Sequence, residues 1–326
     1  ISDNLALDRE LRLMKNDLDA KVDISSVRGI KTKEIDWTDL MPKGSVAVDK
    51  LAMLVPEDQH VLICPSLAEM EKIVDLVEKE GSPLAQGFTV RNPFRKLPSR
   101  YKEQLGLNFP AAFAKMAPIK SVAVTGYDPF FPTGTDVAVL LESDQPKMLF
   151  KMLDGVIKSP DKNIALVGET VVVSNSKSQL ARIQDVHAGK VKSLGSLDEY
   201  TFFRHRYPIA ETGTGFVFLS DACIRRWGGP RLRIAASRRT KSIAALNYLT
   251  AKSLSTGNVV ELNEDQKFLL GSVSSKEGTL VSDKMGSLHF MTPTIDMDLD
   301  KVTKTEADAY SEWRRGYEEG WSKVFD

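Results

Sequence analysis

The chain has little of what usually announces a chemistry. Its 326 residues hold two cysteines, Cys64 and Cys223, and four histidines, His60, His187, His205 and His289. No two of these histidines stand four apart, and Cys-x-x-Cys does not occur. The ligand spacing of a zinc site is therefore missing, and no metal is expected. A phosphate-binding Walker loop, a G-x-S-x-G elbow, an HExxH helix and an EF-hand loop are missing too, so no cofactor is implied. Net charge is absent: Lys and Arg together number 44, and so do Asp and Glu. That removes any bulk attraction to nucleic acid or an anionic membrane, and no specific nucleic-acid partner is expected. No apolar run approaches the ~20 residues of a membrane helix.

What is present is ordinary globular material. Hydrophobic residues make up 42% and charged residues 27%, which is not the composition of a disordered chain. A chain of this length buries roughly 75% of its unfolded surface and needs no disulfide or metal staple. Cys64 and Cys223 each end an apolar run, HVLIC and FVFLSDAC. They read as small buried hydrophobes, with one long-range disulfide as the alternative. The first residue is Ile1 and the last segment is an apolar helical pattern. Both ends read as cut boundaries, so a missing leader or anchor carries no weight.

The organisation reads as α+β. Residues 1–45 suggest a helical arm and linker. The lobe 46–192 shows an apolar β-like run, a Ser or Asp cap, then a helical pattern. HVLICPS leads into LAEMEKIVDLVEKEG, DVAVLLES into DQPKMLFKMLDGVI, and TVVVSNS into KSQLARIQDVHAG. In the second lobe, 193–326, GFVFLSD leads into ACIRRW. A cap oxygen accepts the orphan N–H groups of a first helical turn, which gives these boundaries a mechanism. SVAVTG precedes DVAVLLES across YDPFFPTGT, and NIALVG meets ETVVVSN with almost no loop. Links this short mean antiparallel pairing, because a parallel crossover needs a dozen or more residues. The reading is therefore antiparallel sheets with helices packed on one face, in repeated strand–cap–helix units. A late hairpin is expected at 279–290, turning at Asp283 to Gly286. Residues 232–254 read as a helix, and the last helix, 304–325, as capped by a Thr305 to Asp308 box. Its Tyr310, Trp313, Tyr317, Trp321 and Phe325 share one face.

The densest chemical feature is arginine. Arg225, Arg226, Arg231, Arg233, Arg238 and Arg239 crowd one stretch with Lys241, and Arg204 and Arg206 precede it. Guanidinium groups pair bidentately with carboxylate or phosphate, so the stretch is a candidate binding surface for an acidic protein or a polyanionic glycan. The plainer reading is a helix face paired with the chain's own carboxylates. The aromatic stripe of 310–325 reads as core, or as a face that binds a partner in helix-in-groove fashion. The loop GYDPFFPTGTD offers Asp128, Thr133, Thr135 and Asp136 as oxygen donors. It matches no calcium-loop spacing and reads as a rigid turn. For a spatially assembled hydrolytic site, Asp128, Asp136, His205 and Asp221 are the candidates.

Several blocks, TGYDPFFPTGTDVAVLLES, SLDEYTFFRHRYP, FVFLSDACIRRWGGPRLRI with SRR, and TKTEADAYSEWRRGYEEGW, together resemble an uncharacterised family of large, envelope-associated bacterial proteins. It is a domain-of-unknown-function family with no established activity. The resemblance covers roughly residues 45–326 and carries over no catalytic residue. It implies one part of a longer, membrane-anchored parent, placed outside the cytoplasm in the periplasm or at the cell surface. The leading expectation is thus a non-enzymatic binding or structural module of the envelope. Its alternatives are a hydrolase of a polymer or peptide, and an intracellular scaffold using the aromatic helix.

Overall fold

The computed structural model describes residues 2–13, 15, 17–31, 35–81, 97–107, 117–157, 163–211, 213–256, 261–276 and 278–325. The first elements are α1 (Ser2–Leu13), β1 (Lys21–Asp23), β2 (His60–Cys64), α2 (Leu67–Leu76) and α3 (Leu97–Leu105). Next come β3 (Ser121–Gly126), β4 (Ala138–Glu142), α4 (Pro146–Val156), β5 (Asn163–Val167), β6 (Thr170–Ser174) and α5 (Lys177–His187). Then follow α6 (Asp198–Arg206), β7 (Phe216–Phe218), α7 (Asp221–Gly228), α8 (Pro230–Thr256) and α9 (Glu264–Leu270). The chain finishes with β8 (Val273–Lys276), β9 (Thr279–Ser282), β10 (Gly286–Ser287), β11 (Lys301–Thr303) and α10 (Lys304–Phe325). Among the described residues no helix is long and apolar enough to cross a membrane.

The chain divides into two compact units, and not at 45 and 192. The first unit takes Ile1–Lys33, Thr133–Thr135 and Ile224–Asp326; the second takes Glu34–Pro132 and Asp136–Cys223. The N-terminal helix is consequently no arm. Leu7 and Leu11, four apart on α1, are buried among Ile234, Leu246, Leu249 and Tyr310 of α8 and α10. Burying two leucines contributes about 1.5–3 kcal/mol each, which is ample reason for the helix to dock. In the same unit β1 pairs antiparallel with β11, and β8, β9 and β10 form a three-stranded antiparallel sheet. The β9–β10 turn falls at 283–285, as the sequence leads one to expect.

The second unit holds a six-stranded antiparallel sheet in the order β5-β6-β4-β3-β2-β7. Both short links do make hairpins: β3 pairs with β4 and β5 with β6. The β5–β6 turn is Gly168-Glu169, and Gly168 has φ +58, a left-handed conformation that a glycine takes without Cβ penalty. Helices do not lie on one face of this sheet. Met70 of α2 with Leu149 and Leu153 of α4 packs on one face, and Ile183 of α5 with Tyr200 of α6 on the other. The cause is in the strands: VAVLL and TVVV are apolar at consecutive positions, so both faces need cover. The order ββα occurs twice, as β3–β4–α4 and β5–β6–α5, while β2–α2 and β7–α7 lack the leading strand. A single repeating unit is therefore not established.

The caps are mixed. Ser66 Oγ accepts from Glu69 N, and Ser176 Oγ from Gln179 N. Ser220 Oγ accepts from Cys223 N at the start of α7. At α4 neither Ser143 nor Asp144 is the cap; Gln145 stands there, and Ser143 Oγ accepts from Gln145 N instead. Pro146 at the first helical position explains the shift, since its fixed φ already suits a helix start. At α10 the capping box sits two residues early: Glu306 N donates to Thr303 Oγ1, and Thr303 N donates to Glu306 Oε2. Both Thr303 and Thr305 could cap, and the strand β11 ending at Thr303 fixes which one does.

Candidate functional site

Among the described residues, the helices on one face of the second unit's sheet leave a cavity against it. On α2, Met70, Ile73 and Val74 follow the i, i+3, i+4 spacing that puts side chains on one side of a helix. On α3, Leu97, Tyr101 and Leu105 recur every four residues, to the same effect. These two helices, Leu153 of α4, and Leu62, Val122, Val124, Val139 and Leu141 of the sheet surround a cavity of about 620 Å³. Glu71 and Lys102 are the charged residues among the described lining, and both are exposed. Tyr101 Oη donates to Phe131 O at 2.9 Å, and Arg100 Nη2 donates to Pro132 O at 3.1 Å. Those two bonds tie α3 to the loop after β3. Cys64 packs in the core on this side, its Sγ 4.0 Å from Met70 Sδ. Burial first, and the Glu69 carboxylate second, push its thiol pKa up to about 11.

The opposite face is filled. Tyr200 sits edge-on to Phe218 at 5.1 Å and to Phe216 at 6.1 Å, and Phe203 lies 5.7 Å from Phe218. Arg204 is buried beside them. Its Nε donates to Asp49 Oδ2 at 2.6 Å and its Nη2 to Asp49 Oδ1 at 2.8 Å. The guanidinium carbon lies 3.7 Å from the Phe216 ring centroid. Tyr200 Oη donates to the same carboxylate at 2.6 Å. Burial, and then the Asp49 charge, hold that phenol well above the ordinary tyrosine range.

The arginine stretch is not one solvent-facing surface. Arg238, buried, makes a bidentate pair with Glu306 at 2.9 and 2.7 Å. Burial alone would raise the pKa of Glu306; the Arg238 bonds and charge, with the Thr303 donors, outweigh it and lower that pKa. Arg239, also buried, donates to Thr292 O, to Thr133 Oγ1 at 2.9 Å and to Gly134 O at 2.6 Å. Arg231 reaches Met297 O at 3.3 Å and Asp300 at 3.6 Å. Arg233 lies 3.7 Å from Asp8 and over the Trp313 ring. Arg225 and Arg226 are half-buried on α7, and Arg206 is exposed at the end of α6. The reason is local: α8 carries arginines on the same stretch as the core residues Leu232, Ile234 and Ala235. A buried guanidinium then finds a carboxylate or carbonyl, because leaving it unpaired costs too much.

The hydrolytic candidates are engaged or dispersed. Asp136 Oδ2 accepts from Tyr127 N at 2.7 Å, and Asp128 Oδ1 from Phe130 N at 2.9 Å. Both are buried, and both shape the β3–β4 loop. His205 is exposed on α6, and Asp221 is half-buried at the start of α7 with its backbone N–H on Glu199. Among the described residues no three His, Cys, Asp or Glu side chains cluster as metal ligands would. Cys64 and Cys223 are buried thiols and form no disulfide with each other. The aromatic stripe of α10 runs from buried Tyr310 through Trp313 and Tyr317 to exposed Trp321, with neighbouring rings 5.4 to 6.0 Å apart. Phe325's side chain lies outside the described residues. The sequence does not announce the cavity, because its lining is drawn from several separate stretches of mostly aliphatic residues. No protein-family model matches the chain, and neither the curated proteins nor the solved structures yield a match.

Proposed function

We propose that the chain is a non-enzymatic binding module of the cell envelope whose ligand is an apolar small molecule held in the second unit's cavity. The observation that carries this reading is the cavity's volume, about 620 Å³, together with its aliphatic wall. Ligand pockets run from roughly 300 to 1,000 Å³ and are mostly apolar. Even an enclosed apolar cavity of about 150 Å³ takes up benzene or xenon. Water gains few hydrogen bonds against such a wall, so an apolar solute partitions in. The envelope setting rests on the block resemblance. Arg204, Arg238 and Arg239 already hold internal partners, so they are not available to grip a polyanion.

The test is a fluorescence titration with N-phenylnaphthylamine. The expected result is a saturable, single-site rise in emission that Ala117→Trp abolishes. Ala117 lines the cavity from a loop, so the substitution fills the space from a position outside any helix or strand. A non-saturable rise, or one indifferent to that substitution, ends the reading.

A further inference from the structure

Resting on that reading, we infer that the cavity takes a single-chain lipid by its hydrocarbon tail and leaves the head group at the mouth. Three observations lead there. The first is the wall. Leu62, Val122, Val139, Leu141 and Leu153 offer branched aliphatic surface, which attracts through dispersion and has no preferred direction. A flat polycyclic ligand would call for parallel rings. Tyr101 and Phe131 instead meet each other at 65° with centroids 6.0 Å apart.

The second is the apolar character of the described lining. Tyr101 carries the one hydroxyl of the described lining, and it already donates to Phe131 O. A sugar, peptide or polyol entering here would lose its water without gaining a partner, and an unmade hydrogen bond is costly. A saturated chain has none to lose. The third is the distribution of charge. Glu71 on α2 and Lys102 on α3 are both solvent-exposed and opposite in sign. A head group of either charge finds one attraction and one repulsion there, so the mouth selects little.

Size sets the length. At ~30 Å³ per water-sized unit, the cavity volume corresponds to on the order of 20 units, so a tail of on the order of 12 to 18 carbons fits once imperfect packing is allowed. The shared chemistry is the unbranched tail; a free fatty acid and a lysophospholipid are its two sources.

The experiment is displacement of the bound dye from the whole chain, stripped of lipid, below micellar concentrations. One arm runs fatty acids from octanoate to stearate. The other keeps the palmityl chain and exchanges carboxylate for alcohol and for lysophosphocholine. Each added methylene is expected to tighten binding about fourfold until the cavity is filled, and the head exchange to change it by less than about tenfold. A larger head effect in favour of one source would assign the site to that head and overturn tail recognition. Val74→Phe, a milder filling than Ala117→Trp, should move the plateau to shorter chains. If pyrene displaces the dye and no alkyl chain does, the lipid inference falls while the apolar-ligand reading stands. If the dye itself never binds, both fall together.

Discussion

One sheet in the second unit has two unlike faces. Leu140 and Leu141 are neighbours on β4 and both are buried, yet Leu140 faces the aromatic side and Leu141 the cavity. Strand β4 is equally apolar on either side, so it does not cause the difference. The covering segments do. On the Leu140 side the rings of Tyr200 and Phe203 on α6 meet Phe216 and Phe218 of the edge strand β7, with a buried Arg204–Asp49 pair beside them. Against Leu141 come two short helices whose inward residues are mostly aliphatic. Rings fill the space between a sheet and its cover, and they also lock it through edge-on contacts. Aliphatic chains on short helices leave room. The contrast teaches that a binding cavity here depends on what is laid over the sheet and on which side its edge strand turns its rings.

The sharpest challenge to this contrast is Arg204→Met. It strands a carboxylate in the filled face and is expected to cost about 3–5 kcal/mol in urea unfolding; a cost under ~1 kcal/mol would mean the face is not locked by that pair. Next come the two leucines. Leu140→Ala should cost about 4 kcal/mol and Leu141→Ala about 2–3 kcal/mol, because some of the Leu141 surface already borders open space. Equal losses would break the comparison. Overfilling should reverse the order of tolerance. Ala123→Leu, on the filled face, is expected to destabilise by about 1–3 kcal/mol, whereas Ala117→Trp should stay within ~1 kcal/mol of the parent in a thermal melt. The smallest effects are those of the caps. Ser176→Ala and Ser66→Ala should each lose about 1 kcal/mol, but only Ser66→Ala, at the start of the helix roofing the cavity, should weaken dye binding.

Much of the fold could be read from local rules. The hairpin through Gly168 follows from loop length, and the start of α5 from Ser176. The first unit was harder, because α1 joins α8 and α10 across more than 200 residues of sequence, and nothing local in Leu7 or Leu11 names its partners. The same distance hid the roles of the arginines. Arg238 meets Glu306 and Arg204 meets Asp49 over long separations, so charge density alone looked like a surface. At α10 the box was recognisable in kind but displaced, since Thr303 and Thr305 are chemically equivalent until β11 fixes one of them. The cavity was least legible of all. Its walls use residues indistinguishable from core, and a void is a matter of volumes left over.

Cys64 gives the second unit a clock. Only a thiolate reacts with an alkylating reagent, and a thiol held near 11 is almost wholly protonated at neutral pH. Enclosed behind Met70, it should react only when α2 lifts from the sheet. Its modification rate therefore counts the openings of the cavity roof. Cys223, also buried, lies near the start of α7 and so times a different event in the same molecule. A tail seated beneath α2 should slow the first clock and leave the second running at its own pace.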